Sequence, residues 1–162
     1  RALVEATVAD RGDEDVLKLL DAIGSGEVGQ ALTRAERYLA AAEDPVAARL
    51  SLFALLAGFA RHLTAIAGMA HAAGLPRGEK SYQRFKAQLA PRLQEVGPGG
   101  GASPFKGWHA YRLHRTYLAA SRLPSERLAR LPWQVLEAEL LLKGGSRKPE
   151  VVLSELVTEL AR

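Results

Sequence analysis

Along most of this chain apolar residues recur three and four positions apart, the period of a helix with one buried face. Val16, Leu20 and Ile23 form the first such stripe, and Gly24-Ser25-Gly26 interrupts it. Val28, Leu32, Ala35 and Leu39 form the second. The third segment is longer and more apolar. Asp44 precedes Pro45, a capping acid followed by proline at the first helical position. The helix it opens is expected to reach about residue 73. Val46, Leu50, Phe53, Ala57 and Ala60 line one side, and Leu52, Leu55, Phe59, Leu63 and Ile66 line another. A helix apolar on most sides belongs at the centre of a bundle. Gly58 and Gly68 allow close packing, at a cost of ~1 kcal/mol each against alanine.

The second half is more broken. Residues 80–96 read as a polar helix that Pro91 kinks or ends. Residues 97–102 read as a flexible glycine-rich loop, and Ser103-Pro104 as the restart of a helix through Leu123. After Leu123-Pro124-Ser125, the next helix carries Leu128, Leu131, Val135, Leu136, Leu140 and Leu142, with Pro132 expected to kink it or delay its start. It ends in Glu139-Leu140-Leu141-Leu142-Lys143-Gly144-Gly145. Glu139 and Lys143 pair at i,i+4, worth ~0.3–0.5 kcal/mol, and Gly144 suits the left-handed stop. Lys148-Pro149 opens a last helix, with Val152, Leu153, Leu156, Val157 and Leu160 on its apolar side. At the other end, residues 1–9 read as the tail of a preceding helix and Asp10-Arg11-Gly12-Asp13 as a linker. Asp13 would cap the helix that carries Val16, Leu20 and Ile23, with Glu14 and Asp15 in its first turn.

Composition fits this pattern. Ala and Leu make 54 of the 162 residues, and Val, Ile and Thr only 17. Helices favour the first pair and strands the second group. The predicted fold is all-α, a single multi-helix bundle. The absence of cysteine excludes disulfides, thiol catalysis and thiolate metal sites. No apolar run reaches the ~18–20 residues of a membrane span; residues 50–73 come closest, interrupted by Arg61, His62 and His71. No signal-peptide pattern opens the chain, which starts at Arg1 and reads as a fragment of a longer protein.

Charge changes the picture more. Residues 1–50 carry 6 basic and 10 acidic side chains, a net −4, while residues 80–130 carry 10 and 2, a net +8. Such asymmetry points to a polyanion or an acidic partner, against the alternative of a solvated Arg-rich face. Within the basic region, Phe105, Trp108 and Tyr111 interleave with Lys106, Arg112 and Arg115. Single-strand binders combine stacking rings with a cationic groove. Lys106, Trp108, Arg112 and Arg115 are therefore the candidate nucleic-acid contacts, with core packing the alternative for the rings.

No catalytic constellation stands out in the sequence. The loop Gly97-Pro98-Gly99-Gly100-Gly101-Ala102-Ser103 lacks the Gly-Lys-Ser/Thr ending and the preceding strand of a phosphate cradle. His62 and His71 are nine apart, and His109 and His114 five apart with no carboxylate at ligand spacing. No serine has an elbow context or partner base. The expectation is a non-catalytic chain without metal or cofactor.

Several segments, in order, resemble a known family. They are Leu17-Lys18-Leu19-Leu20-Asp21-Ala22-Ile23-Gly24-Ser25-Gly26-Glu27, Ala31-Leu32, Phe59-Ala60-Arg61-His62-Leu63, Pro104-Phe105-Lys106, the 128–136 helix, and the Glu139 to Gly145 stretch. Together, over residues 13–160, the chain resembles the C-terminal region of the delta subunit of the bacterial DNA polymerase III clamp loader. The glycine-rich loop and Pro132 depart from that pattern.

The resemblance implies a helical collar-type domain over residues 13–162, preceded at 1–12 by the tail of a lid module and a linker. It implies a role in joining a hetero-pentamer of loader subunits that opens the sliding clamp and loads it on primed DNA in the cytoplasm. The clamp-gripping module would lie upstream, and no membrane contact is expected. Leu141, Lys143 and Val151 are the expected subunit-interface residues. The alternative is a stand-alone helical nucleic-acid-binding regulator.

Overall fold

A computed structural model describes the backbone of residues 2–95 and 97–162 and the side chains of residues 14–95, 97 and 99–162. Among them there is no strand, so the chain is all-α. The elements are α1 (Ala2–Ser25), α2 (Val28–Ala40), α3 (Pro45–Ala72), α4 (Tyr82–Arg84), a π-helical turn (Phe85–Leu89), α5 (Ala90–Glu95), a 3₁₀ turn (Pro98–Gly100), α6 (Ala110–Arg122), α7 (Ser125–Gly144) and α8 (Pro149–Ala161).

The chain forms two compact units where the sequence suggested one bundle. The first is Arg1–Gly58 with Trp133–Arg162, and the second is Phe59–Pro132. Both boundaries fall inside helices, α3 and α7.

In the first unit α1, α2 and α8 pack on one another. Their core is Leu19 and Ile23, Ala31 and Ala35, and Val152, Leu153, Leu156, Val157 and Leu160, joined by Leu52 and Leu56 of α3. Asp44 caps α3 as expected: its Oδ1 accepts from the Val46 N–H (2.9 Å) and the Ala47 N–H (3.1 Å). Arg49 pairs with Glu150 in the first turn of α8. The Glu150 carboxyl is held below its ordinary pKa by its own backbone N–H, with Arg49 adding to the effect.

Of three local expectations, two need correction and one is met. The linker at residues 10–13 is helical, continuous with α1; the segment has no proline, and one glycine costs too little to stop a helix. The side chains of that expected tail and linker lie outside the described residues. Second, α1 stops within the expected Gly24-Ser25-Gly26, at Gly26 (φ 80°). There the Glu27 N–H reaches the Ala22 carbonyl (2.9 Å) and the Gly26 N–H the Ile23 carbonyl (3.1 Å), the paired bonds of a left-handed C-terminal stop. Third, at the end of α7 the left-handed residue is Gly145 (φ 65°), one past Gly144.

α3 also corrects the hydropathy reading. It runs 28 residues with a mean hydropathy of 1.6 in its best window, long and apolar enough to cross a membrane by those measures. Alanines raise that average past the scattered Arg and His. Of that window 33% is buried, and Leu52, Leu56, Phe59, Leu63 and Ile66 are among the buried residues of α3.

In the second unit the α4–π–α5 segment packs against α6 around Phe85, Leu89, Leu93, Leu113 and Tyr117. The helix widens at Phe85–Leu89, where the Ala90 N–H bonds back to the Phe85 carbonyl. Pro91 follows one residue later, and the wide turn accommodates the N–H that proline lacks. The expected C-terminal residue of this segment, Val96, lies outside the described residues. The helix predicted from Ser103 starts only at Ala110. Residues 103–108 instead form a turn, with the Lys106 N–H on the Ser103 carbonyl (3.1 Å) and the Trp108 N–H on the Phe105 carbonyl (3.0 Å). Gly107 (φ 79°) ends it. α7 continues through Pro132 from Ser125.

Candidate nucleic-acid interface and subunit contacts

The aromatic residues of the 104–115 stretch divide between core and surface. Phe105 is fully buried. Ser103 anchors it: the Ser103 hydroxyl donates to the Leu93 carbonyl (2.5 Å) and accepts from the Phe105 N–H (3.1 Å). Trp108 is half-buried. Phe105 meets its ring edge-on at 5.0 Å, as does His62 at 4.8 Å. The Arg112 guanidinium lies over the Trp108 ring, 3.8 Å from its centroid. Trp108 is therefore partly covered, with a cation already on one face of its ring. The exposed ring is Tyr111, 54% exposed and edge-on to Tyr82 at 5.9 Å. The i+3 spacing suggested one shared helix face, but Trp108 lies on the turn before α6, so the two rings part.

Lys106 sits exposed on the 103–108 turn, Arg112 is exposed on the first turns of α6, and Arg115 is half-buried one turn further on. The structure thus brings the four candidate contacts into one unit, on one turn and one helix. The unit's charge extends well beyond them. Residues 59–132 carry 12 basic and 3 acidic side chains, a net +9, while the other unit carries 10 and 15, a net −5. At most three of those twelve cations can be matched one-to-one by a carboxylate of their own unit.

Two arginines of the second unit have structural work. Arg77 donates to the Ser121 (3.3 Å) and Leu123 (2.7 Å) carbonyls at the end of α6. Arg92 donates to the Ala73 carbonyl (2.7 Å) just past α3. Cations at helix C-termini satisfy orphan carbonyls and complement the dipole. Burial and the crowding of positive charge act together on two neighbours. Burial, then Arg112 and Arg61, lowers the His62 pKa. Burial, then Arg127, lowers that of Arg122.

The other histidines are also accounted for. His109 caps α6, its Nδ1 accepting from the Tyr111 N–H (3.3 Å). His114 is buried with Nε2 2.8 Å from the Glu79 carbonyl, so Nε2 carries the proton. His71 is exposed. Among the described residues, no group of three or more His, Asp or Glu side chains is arranged to hold a metal.

The expected interface residues are scattered. Lys143 is exposed and pairs with Glu139 at 2.5 Å. Leu141 is half-buried and, with Leu156, lines a cavity between α7 and α8. Val151 is 43% exposed on α8. What the sequence reading assigned to the apolar side of α7 is partly solvent-facing. Trp133, Leu136 and Leu140 are 72%, 42% and 61% exposed, and their i, i+3, i+7 spacing places them on one stripe. The buried face of α7 carries Leu128, Leu131 and Ala138. Val46 and Leu50 of α3 are likewise exposed.

No protein-family model matches the chain, and no curated protein or solved structure matches it significantly.

Proposed function

We propose that this chain is a non-catalytic assembly domain of a DNA polymerase III clamp loader, the collar region of a delta-type subunit acting in the cytoplasm. The observation that carries the reading is the exposed stripe of Trp133, Leu136 and Leu140 on α7. A large apolar stripe left in solvent at coiled-coil spacing is suited to a partner helix. It lies in the helix whose Glu139 to Gly145 ending belongs to the delta-like set of motifs. The partners are the other loader subunits, with primed DNA and the sliding clamp reached through the assembled complex. The test is co-purification of the full-length chain with the remaining loader subunits from the same organism. Stoichiometric association supports the reading, and its absence counts against it.

A second reading rests on the +9 charge of residues 59–132. In it, this unit contacts a nucleic-acid backbone through Lys106, Arg112 and Arg115, with Tyr111 replacing Trp108 as the ring available for stacking. Within a loader it accompanies the first reading. Alone, it describes a stand-alone regulator.

A further inference from the structure

Away from the α7 stripe, the first unit has an open groove of about 660 Å³ between α2 and α8. Its floor is apolar: Leu32, Ala35 and Leu39 from α2, the buried Leu52 of α3, and Val151 and Leu153 from α8. Leu32, Ala35 and Leu39 stand at i, i+3 and i+7, and Leu32 and Leu39 remain only half-buried. The rim is acidic. Glu36 on α2 and Glu150, Glu155 and Glu159 on α8 line it against one cation, Arg162. Three of these carboxylates have partners within the chain. Glu150 pairs with Arg49, and Glu155 accepts from Arg147 at 2.8 and 2.5 Å. Glu159 accepts from Gln134 (2.9 Å) and lies 3.5 Å from Arg162. The Arg147–Glu155 pair is exposed, so solvent weakens it and an incoming cation can exchange with the internal one. Glu36 is exposed on the α2 side. The unit as a whole carries a net −5.

We propose that this groove receives an amphipathic helix of another protein, apolar on one face and flanked by lysine or arginine. The elongated apolar floor between two helices matches the helix-in-groove mode of recognition, read by anchors at i, i+3, i+4 and i+7. The carboxylate rim selects the flank: basic residues find acceptors on both walls, whereas acidic ones meet like charge. A second copy of the α8 surface, with Glu150, Glu155 and Glu159, is disfavoured for the same reason. The groove shares only Val151 with the interface residues expected of the loader reading; Leu141, Lys143 and the Trp133, Leu136 and Leu140 stripe do not line it.

The test uses the full chain and synthetic peptides of about four helical turns, with Leu at the four anchor positions and flanks of either Lys or Glu. Isotope-labelled protein is titrated and amide shifts are mapped by NMR. The expected result is binding of the Lys-flanked peptide with shifts centred on Leu39, Val151, Ser154 and Thr158, and at least tenfold weaker binding of the Glu-flanked one. Glu36→Lys, at an exposed position, is expected to weaken the Lys-flanked peptide several-fold without altering the rest of the spectrum, and Val151→Glu to do the same. Equal binding of both peptides, shifts confined to the α7 stripe, or no binding at millimolar peptide would overturn the proposal.

Discussion

At the scale of single residues, the second unit is held by contacts that leave little room for substitution. Gly97 is buried, and its N–H bonds to the Gly101 carbonyl at 2.8 Å. A Cβ there would lie 2.4 Å from the Ala102 carbonyl oxygen, a backbone atom that cannot rotate away. The glycine here serves close approach and not a left-handed turn, since its φ is −88°. Gly97→Ala is expected to cost about 1–3 kcal/mol, read as a drop in Tm by calorimetry; an unchanged Tm would contradict that packing. His62 supplies a pH-dependent counterpart. Its folded-state pKa lies below the ordinary 6.5 because burial and then the Arg112 and Arg61 charges disfavour the imidazolium. The unfolded chain therefore takes up the proton first as pH falls. The stabilising effect of the neutral ring is complete above about 6.5 and lost progressively below it. His62→Gln is expected to flatten the Tm profile between pH ~5 and ~7, and an unaltered slope would show that His62 does not carry it.

At the scale of elements, the legible part of the fold was what local chemistry decides. The Asp44-Pro45 start, the break before Ser125 and the Lys148-Pro149 start of α8 are all where capping acid and proline placed them. The missed features depend on tertiary context. No local signal distinguishes a Ser-Pro that opens a helix from one that opens a turn, and the buried Phe105 and the Ser103–Leu93 bond decided for the turn. Periodicity likewise identified apolar stripes on α3 and α7 without telling which stripe faces the core. Leu128 and Leu131 are covered, while Leu136 and Leu140 are not. The candidate contact Trp108 was visible as a ring among cations, but its burial against His62 and Phe105 was not. On α7 the consequence is testable. Leu140→Ser, at a 61% exposed site, removes mostly exposed apolar surface, so the fold's stability is expected to change by about 0.5 kcal/mol or less, whereas Leu131→Ala, at a buried site, is expected to cost ~2–5 kcal/mol. Denaturant titrations distinguish the two. Comparable losses would mean that the stripe is part of the core.

At the scale of the whole molecule, the sequence already showed uneven charge, and the fold sharpens it by collecting a net +9 in one unit and −5 in the other. If the basic unit contacts a single strand, log affinity falls with log salt at a slope of about −0.7 per phosphate engaged. Arg112→Ala with Lys106→Ala then reduces that slope by about two contacts' worth, measurable by fluorescence anisotropy on a labelled oligonucleotide. A flat salt response would exclude nucleic acid as a partner. The account as a whole depends on α7 meeting a sister subunit. The most direct measurement is native mass spectrometry of the reconstituted loader subunits with the full-length chain, unaltered or carrying Trp133→Glu, Leu136→Glu and Leu140→Glu. The account predicts a pentamer containing one copy of the unaltered chain, and its loss with the triple variant while the variant remains folded by circular dichroism. A pentamer that forms equally well with the triple variant, or no assembly with the unaltered chain, would contradict it.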